Sequence, residues 1–519
     1  MKQKANRFID FFKTILIYLL TASMLTTAGL YINERQNAGQ TEEIPPEKRR
    51  IFEIGGMALA EINEEHITPV QITVTVRGNS FTAIHSDKSI FDIYEHNIKY
   101  SVRDIFGKNT VCTPLDEASG GELWAECVNF PQSVYIKYAG NYIYPIIYAF
   151  LEKGWELRNS AEDFLGELAM VHELFIIGDD PVYGVARDSY GNVSLFVPDQ
   201  KTNSQLKIRM ESDSLSAYNN IAGTIPCEFL KNREISEQTG INQNSIENMK
   251  FPENFHLFSN YSKYSFVLEF SNPLLDDEGK INTEQTYIKN LFKNLNFNIE
   301  NSAFYPEYDG MTFRDQKNTI KFFYNGQISY SYKPSDPSES GGGLHLAKFL
   351  SYDDKYYTYY EKIKAASVFV SSLDKELTGN ESKIYLKDTK VDSSGNTTVT
   401  FSYYYEGIEI KLGGSNECII ITINENSFTE VKINSLYIDL SPLGMAKNRN
   451  PIFDLGAIDR EISKQLGDES KTPQEIALRY RLKYDEALNK FVANEFNLVY
   501  NITYQSGENN TVTAIWELQ

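Results

Sequence analysis

The sequence is poor in the residues from which metal sites and disulfide frameworks are built. It has four cysteines and six histidines among 519 residues. No Cys-x-x-Cys pair occurs, and the histidines are dispersed. His172-Glu173 does not begin a zinc-protease helix, because Ile176 stands where the second histidine is required. We therefore predict no metal and no cofactor.

Motifs for nucleophilic catalysis and phosphate binding are also absent. There is no Gly-x-Ser-x-Gly sequence and no glycine-rich loop followed by Lys. Ser372 and Lys375 match the Ser-x-x-Lys of penicillin-recognising enzymes, but no Lys-Thr-Gly follows them. Carboxylates are abundant, as in Asp179-Asp180, so a glycosidase pair is left open. The sequence favours a protein that is not an enzyme, with a glycan hydrolase as the alternative.

The few cysteines leave two interpretations. Cys112 and Cys127 pair in a disulfide if they face each other across neighbouring elements. Otherwise the cysteines are buried thiols, which is the interpretation we prefer.

Positive charge is scarce as well. Lys and Arg number 50 against 70 Asp and Glu, which gives a formal net charge of -20. Nucleic acid and bare anionic lipid repel a protein of this charge. We therefore predict no nucleic-acid partner.

The chain has one long stretch without charge, the 19 residues Thr14–Ile32. Such a stretch suits a helix that crosses the hydrocarbon core of a bilayer. Basic residues precede it, which favours a cytoplasmic amino terminus and an extracytoplasmic remainder. The alternative is a cleaved signal peptide. We expect a single-pass anchor at the cell membrane.

Composition and pattern predict an α+β protein with two or three extracytoplasmic domains of helices packed on antiparallel sheets. The predicted order is cytoplasmic residues 1–13, transmembrane helix 14–32, tether 33–50, amino-terminal α+β domain 51–272, helix and β-meander 273–334, linker 335–343, and carboxyl-terminal α+β domain 344–519.

Local patterns predict individual elements. Val70, Ile72, Val74 and Val76 alternate with polar residues, as in a half-buried strand. Asn282 is the predicted N-cap of a helix, which is followed by two hairpins with turns at Asp309-Gly310 and Asn325-Gly326. The segment 200–250 is polar and predicts no element.

In the carboxyl-terminal part, the sequence again predicts helices that are followed by strands. A Tyr-rich helix over 353–376 precedes strands at 382–391, 397–405, 408–412, 418–424 and 429–440. Thr472-Pro473-Gln474-Glu475 then predicts a capping box, with a helical stripe from Ile476 to Phe491. Two strands, 498–504 and 512–518, follow this helix. The clustered tyrosines from Tyr356 to Tyr360 and Tyr403 to Tyr405 are predicted core residues, with sugar stacking as the alternative.

Three regions of the chain, each represented by two short segments, resemble a known family. They are Thr68-Pro69-Val70-Gln71-Ile72 with Ser133-Val134-Tyr135-Ile136, Tyr308-Asp309-Gly310-Met311-Thr312-Phe313 with Asn325-Gly326-Gln327-Ile328, and Tyr403-Tyr404-Tyr405-Glu406-Gly407 with Ala514-Ile515-Trp516-Glu517. Together they resemble the YycH/YycI regulatory proteins of Gram-positive bacteria, in the divergent form of clostridial lineages.

The resemblance implies an accessory protein that associates with a membrane sensor histidine kinase of the WalK/YycG type and modulates a two-component system of cell-wall homeostasis. It implies a YycH-like domain at 51–272, a YycI-like domain at 344–519, a possible YycI/YycH-like companion protein, and no catalytic residues. In the bilayer, Ala22, Thr26 and Gly29 form a predicted partner-binding face of small residues. The alternative functions are an anchored wall-binding module and a wall glycan hydrolase.

Overall fold

The computed structural model describes residues 64–76, 79–84, 94–152, 165–166, 168–178, 181–211, 225–227, 267–276, 278–315, 317–333, 343–350, 357–378, 382–405, 408–412, 418–435, 437–439, 473–485, 490–506 and 510–517. Within them, no helix is both long and apolar enough to cross a bilayer. The predicted span Thr14–Ile32 lies outside these residues. The predicted tether 33–50 and residues 335–342 of the predicted linker also lie outside them.

The described helices are short. They are α1 Lys99–Ile105, α2 Glu117–Val128, α3 Tyr144–Glu152, α4 Gln200–Glu211, α5 Thr286–Asn294, α6 Ala347–Leu350, α7 Tyr359–Ser371 and α8 Lys375–Thr378. A 3-10 turn at Glu64–Ile67, a π turn at Tyr94–Ile98 and a 3-10 turn at Ile299–Asn301 complete the helical elements of the described part.

The first sheet has nine strands. They are β1 Gln71–Val76, β2 Asn79–Ile84, β3 Thr110–Pro114, β4 Gln132–Ile143, β5 Leu165–Gly166, β6 Met170–Ile177, β7 Tyr183–Arg187, β8 Val193–Pro198 and β9 Ile225–Cys227. Their order is β5-β3-β8-β7-β6-β4-β1-β2-β9. Every pairing is antiparallel except that of β3 with β5.

The second sheet has fifteen strands. They are β10 Val267–Ser271, β11 Ala303–Glu307, β12 Gly310–Arg314, β13 Asn318–Phe323, β14 Gln327–Tyr332, β15 Leu344–His345, β16 Lys383–Val391, β17 Thr397–Tyr405, β18 Ile408–Lys411, β19 Ile419–Ile423, β20 Ser427–Asn434, β21 Tyr437–Asp439, β22 Pro473–Asp485, β23 Lys490–Ser506 and β24 Asn510–Glu517. The main path is β11-β12-β13-β14-β20-β19-β17-β18-β22-β23-β10-β21. The α+β prediction is therefore confirmed.

The alternating segment around Val74 forms β1 as predicted, but it is buried on both faces. Val74 and Ile72 are buried, and so are Thr73 and Thr75. The strand lies between β4 and β2 inside the sheet. The predicted strand is therefore confirmed, and its apolar and its polar side chains are both covered.

Helix α5 packs on the meander β11–β14, which confirms the predicted helix-and-hairpin unit. The ring of Phe292 lies 5.4 Å from Phe313 and 5.5 Å from Phe322, both in edge-to-face geometry. The predicted N-cap Asn282 is wrong, since α5 begins after Gln285. The Asn282 side chain instead accepts the Glu284 N–H at 3.0 Å in a local turn.

Both predicted hairpins form, with shifted turns. The first loop is Tyr308-Asp309, and Gly310 already belongs to β12. A side chain at Gly310 would collide with the Phe322 carbonyl oxygen, so glycine is required there for close strand approach. Only the second turn uses a left-handed glycine, Gly326 with φ 92°.

The helix predicted after Thr472 is wrong, because the chain forms β22 and β23 there. The residues Ile476, Leu478, Tyr480, Leu482 and Tyr484 alternate strictly with Ala or charged residues. Period-two alternation over these positions favours a strand more than the i, i+4 stripe favours a helix. The polar segment 200–250, to which the sequence assigned no element, contains α4, whose start is capped by Asp199 accepting the Thr202 N–H at 2.8 Å.

Strands that precede and follow the predicted linker 335–343 belong to the same sheet. Strand β14 precedes it and β20 follows it, and the two pair in one sheet. The domain boundaries stay a prediction.

Candidate functional site

The two sheets meet where each carries a β-bulge. In β4, residues between Lys137 and Tyr142 bulge out of the ladder with β6. In β16, Lys387 is the extra residue between Leu386 and Asp388 in the ladder with β17. Bulges bend a strand and redirect side chains. Here they bring β4 and β16 into contact.

Gly140 permits this contact. A side chain on Gly140 would collide with the carbonyl oxygen of Lys387 and lie 2.9 Å from that of Leu386. Hydrogen bonds also join β4 to β16 at this point. The Tyr142 hydroxyl donates to the Leu386 carbonyl and accepts the Gly140 N–H at 3.1 Å, while Lys387 Nζ donates to the Ala139 carbonyl at 3.1 Å.

We expect Gly140→Ala to lower the free energy of unfolding by about 1–3 kcal/mol, because both clashing atoms belong to backbone and relief requires moving a strand. Gly121 in α2 is the matched control, since a side chain there meets nothing within 4 Å. Gly121→Ala should be neutral or stabilising by up to about 1 kcal/mol. Urea denaturation of both variants makes the comparison, and equal stabilities would contradict the close approach.

A buried carboxylate lies beside the bulges. Glu409 on β18 is buried and faces three cations: Lys387 Nζ at 3.2 Å, Lys411 Nζ at 2.9 Å and Arg479 Nε at 3.0 Å. The Ser402 hydroxyl donates to the same carboxylate at 3.1 Å. We call Glu409, Lys387, Lys411 and Arg479 the Glu409 cluster.

The cations decide the charge of this carboxyl. Burial alone would raise the pKa of Glu409, but Lys387, Lys411 and Arg479 hold it well below its usual range. The carboxylate is therefore ionised, and it neutralises one of the three cations around it.

A second buried carboxylate lies on the first sheet. Glu173 on β6 accepts the Tyr135 hydroxyl at 2.6 Å and pairs with Arg187 at 2.7 Å. Burial opposes its charge, yet Arg187 and Lys137 lower the pKa of Glu173 to about 2. The Arg187 guanidinium also covers the Trp124 ring at 4.2 Å. This pair links β6 to β7, and Arg187 also contacts α2 through Trp124.

His172, singled out by its neighbour Glu173 in the sequence, belongs to the bulge contact. Its Nδ1 lies 3.0 Å from the Gly140 carbonyl oxygen. Burial and the nearby Lys137 lower the pKa of His172. Among the described residues, no group of three or more His, Cys, Asp and Glu side chains could hold a metal ion.

A second contact between the sheets is centred on His66. Its Nδ1 lies 2.7 Å from the Ser367 hydroxyl on α7, and its ring meets Phe401 edge-on at 5.4 Å. Burial lowers the pKa of His66 to about 4. The imidazole is therefore neutral near pH 7.

The outer end of the second sheet presents an exposed surface. The edge strand β11 is exposed along its whole length. Phe304 is 48% exposed, Tyr305 51% and Tyr308 103%. We call these three residues the aromatic edge. Phe304 packs on Phe313, which contacts Phe292. Phe292 in turn lines a cleft of about 480 Å³ together with Phe297 and Ile299.

Two sets of residues were singled out in the sequence, a predicted transmembrane face and the serine of a Ser-x-x-Lys motif. The partner-binding face Ala22, Thr26 and Gly29 lies outside the described residues. Ser372 ends α7 and donates to the Phe369 carbonyl at 2.6 Å, so it acts as a helix cap.

The core interpretation is confirmed for four of the clustered tyrosines and for three cysteines, whereas Tyr359 and Tyr405 are half-buried. Tyr357, Tyr360, Tyr403 and Tyr404 are buried. Cys112, Cys127 and Cys418 are buried thiols.

Sequence reasoning missed the Glu409 cluster and the partners of His66. One signal was present, because Glu409 lies between Ile408 and Ile410 in a strand otherwise suited to burial. A charge at such a position indicates a buried ion pair. Two of its partners, Lys387 and Arg479, lie on β16 and β22, and nothing in the sequence links those strands to it.

Comparison with known proteins gives distant similarities. No family model matches the chain, and no curated protein matches it. The crystal structure of YycH from Bacillus subtilis is similar over 88% of this chain and 97% of that chain, with a TM-score of 0.48 and 10% identity. That protein carries the name of the family that the sequence resembles.

The crystal structure of an uncharacterized protein from Eubacterium rectale is similar over 49% of this chain and 83% of that chain, with a TM-score of 0.31 and 15% identity. Similarities this distant establish neither the family nor the function of the chain.

Proposed function

We propose that the protein is a membrane-anchored extracytoplasmic regulator that modulates a membrane sensor histidine kinase, without enzymatic activity of its own. The aromatic edge carries the proposal. Large exposed aromatic side chains beside a cleft mark protein interaction surfaces. Tyr308 is fully exposed at the tip of the hairpin formed by β11 and β12.

Two features of the sequence support the same function. The stretch from Tyr308 to Phe313, which resembles the YycH/YycI family, forms this exposed hairpin. The uncharged run Thr14–Ile32 provides a membrane anchor next to a membrane partner. The ectodomain then supplies one contact and the transmembrane helix a second.

In the bilayer, small residues let helices approach closely. We expect Ala22→Leu combined with Thr26→Leu to reduce co-purification with the kinase severalfold, since both add bulk on the predicted face. Met24→Leu combined with Ala28→Leu changes the opposite side of the helix and serves as the control. Unchanged co-purification of the first variant, at equal membrane levels, would remove this face from the account.

The alternative functions predict a different result. A wall-binding module retains purified peptidoglycan, and a glycan hydrolase degrades it. We expect the detergent-solubilised full chain to do neither, while it co-purifies with the kinase from the same membranes. Retention or turnover of peptidoglycan would favour the alternatives.

A further inference from the structure

A cationic surface lies where β18 and β22 run side by side. These strands are parallel, with Glu409 opposite Arg479 and Lys411 opposite Arg481. Alternate residues of a strand share a face. The four side chains therefore lie on one face, and the bulge of β16 adds Lys387 to it.

Among the described side chains of this face, cations outnumber carboxylates. Lys387, Lys411, Arg479 and Arg481 are positively charged, and Glu409 is negatively charged. Among the described residues, Arg481 has no acidic partner within ion-pair distance. Four described cations thus lie beside one described carboxylate, in a chain whose formal net charge is -20.

Burying these cations partly and placing them close together is electrostatically unfavourable. Burial lowers the pKa of Lys411, and the neighbouring Lys387 and Arg479 lower it further, against the opposite effect of Glu409. Burial and Arg479 likewise lower the pKa of Arg481. A bound anion would relieve this repulsion.

The cations remain accessible to solvent. The side chain of Lys387 is 26% exposed, that of Lys411 19% and that of Arg479 13%, whereas Glu409 is 5% exposed. Glu409 is thus the most covered of these four groups, and each cation keeps part of its side chain accessible to solvent. An anion can approach them without displacing Glu409.

We propose that Lys387, Lys411, Arg479 and Arg481 form a binding site for a phosphate group at the junction of the two sheets. A phosphate carries nearly two negative charges at neutral pH and offers several acceptor oxygens. The guanidinium groups match pairs of these oxygens, while the lysines act as point charges. Occupancy of this site would strengthen the contact between β16, β18 and β22.

The site is tested by titrating the full-length protein with inorganic phosphate and with glycerol 3-phosphate at constant ionic strength, using calorimetry. We expect saturable binding of at least one ligand. Tighter binding of inorganic phosphate assigns the site to the free ion, and tighter binding of the ester assigns it to a phosphomonoester. Absence of binding by either ligand overturns the proposal.

Two variants locate the binding. Arg481→Gln removes the cation that has no described acidic partner and should weaken binding about tenfold, the loss of one charge-assisted hydrogen-bonded contact. Lys390→Gln removes an equal charge from an exposed pair with Asp388 and should leave the affinity unchanged. Equal affinities of the Arg481→Gln variant and the unmodified protein would overturn the assignment, provided circular dichroism shows both folded.

Discussion

Glu409→Gln is expected to lower the free energy of unfolding by about 3–5 kcal/mol. The substitution keeps the size of the side chain and removes its charge. Lys387, Lys411 and Arg479 then lose the buried carboxylate that they approach within 3.2 Å. Removing one partner of a buried ion pair costs more than the pair itself contributes, because the remaining charges stay desolvated.

Glu430→Gln provides the matched control for this expectation. Glu430 pairs with Lys432 at 2.9 Å, but both side chains are at least 40% exposed. Exposed pairs contribute about 0–1 kcal/mol. Guanidinium denaturation of the two variants should therefore separate them by several kcal/mol. A loss below about 1 kcal/mol for Glu409→Gln would show that the cluster does not hold the strands together.

The contact at His66 should make stability depend on pH between about 6.5 and 4. The unfolded histidine has a pKa near 6.5, and burial lowers the folded value to about 4. Below pH 6.5 the unfolded chain binds a proton that the folded chain excludes. The contribution is therefore complete above pH 6.5 and is lost as the pH falls through about 4. Its size is about 3 kcal/mol.

Two variants separate burial from hydrogen bonding at this histidine. His66→Gln should abolish its share of the pH dependence, seen as a smaller difference in unfolding free energy between pH 7 and pH 4. Ser367→Ala removes the hydrogen bond at 2.7 Å but keeps the ring buried. Its stability should fall at every pH while the slope remains. A slope that persists in His66→Gln would assign the pH dependence to other groups.

Elements with a local signal were predictable from the sequence. The alternation around Val74 indicated β1, and the turn dipeptides indicated the hairpins of the meander. These patterns report forces between residues close in the chain. The helix α2 escaped prediction because Gly120 and Gly121 interrupt its sequence, although Asp116 caps it by accepting the Ser119 N–H at 3.0 Å.

The junction of the sheets was not predictable, since its contacts join distant parts of the chain. His66 and Ser367 are 301 positions apart, and Tyr142 and Leu386 are 244 apart. No local pattern records such a pairing. Because a helix was wrongly predicted after Thr472, strand β22 was not predicted. Its residue Arg479 could therefore not be placed beside Glu409.

The exposed aromatic edge is the feature most closely tied to the proposed regulation. Sequence placed Tyr308 in a hairpin, but only the sheet order shows that β11 is an edge strand. Phe313 on β12 of the same hairpin is buried and packs edge-to-face on Phe292 of α5 at 5.4 Å, which fixes the hairpin against the helix. A rigid exposed aromatic surface binds a partner at low entropic cost.

Photo-crosslinking in native membranes tests the proposed function most directly. A photoreactive amino acid replaces Tyr308 at the exposed tip, and in a separate control replaces Tyr190, which is 70% exposed on the first sheet's β7–β8 turn. The account predicts that crosslinking from position 308 captures a membrane sensor histidine kinase and that crosslinking from position 190 does not. Capture of no kinase from position 308, with both variants folded and present in the membrane, would contradict it.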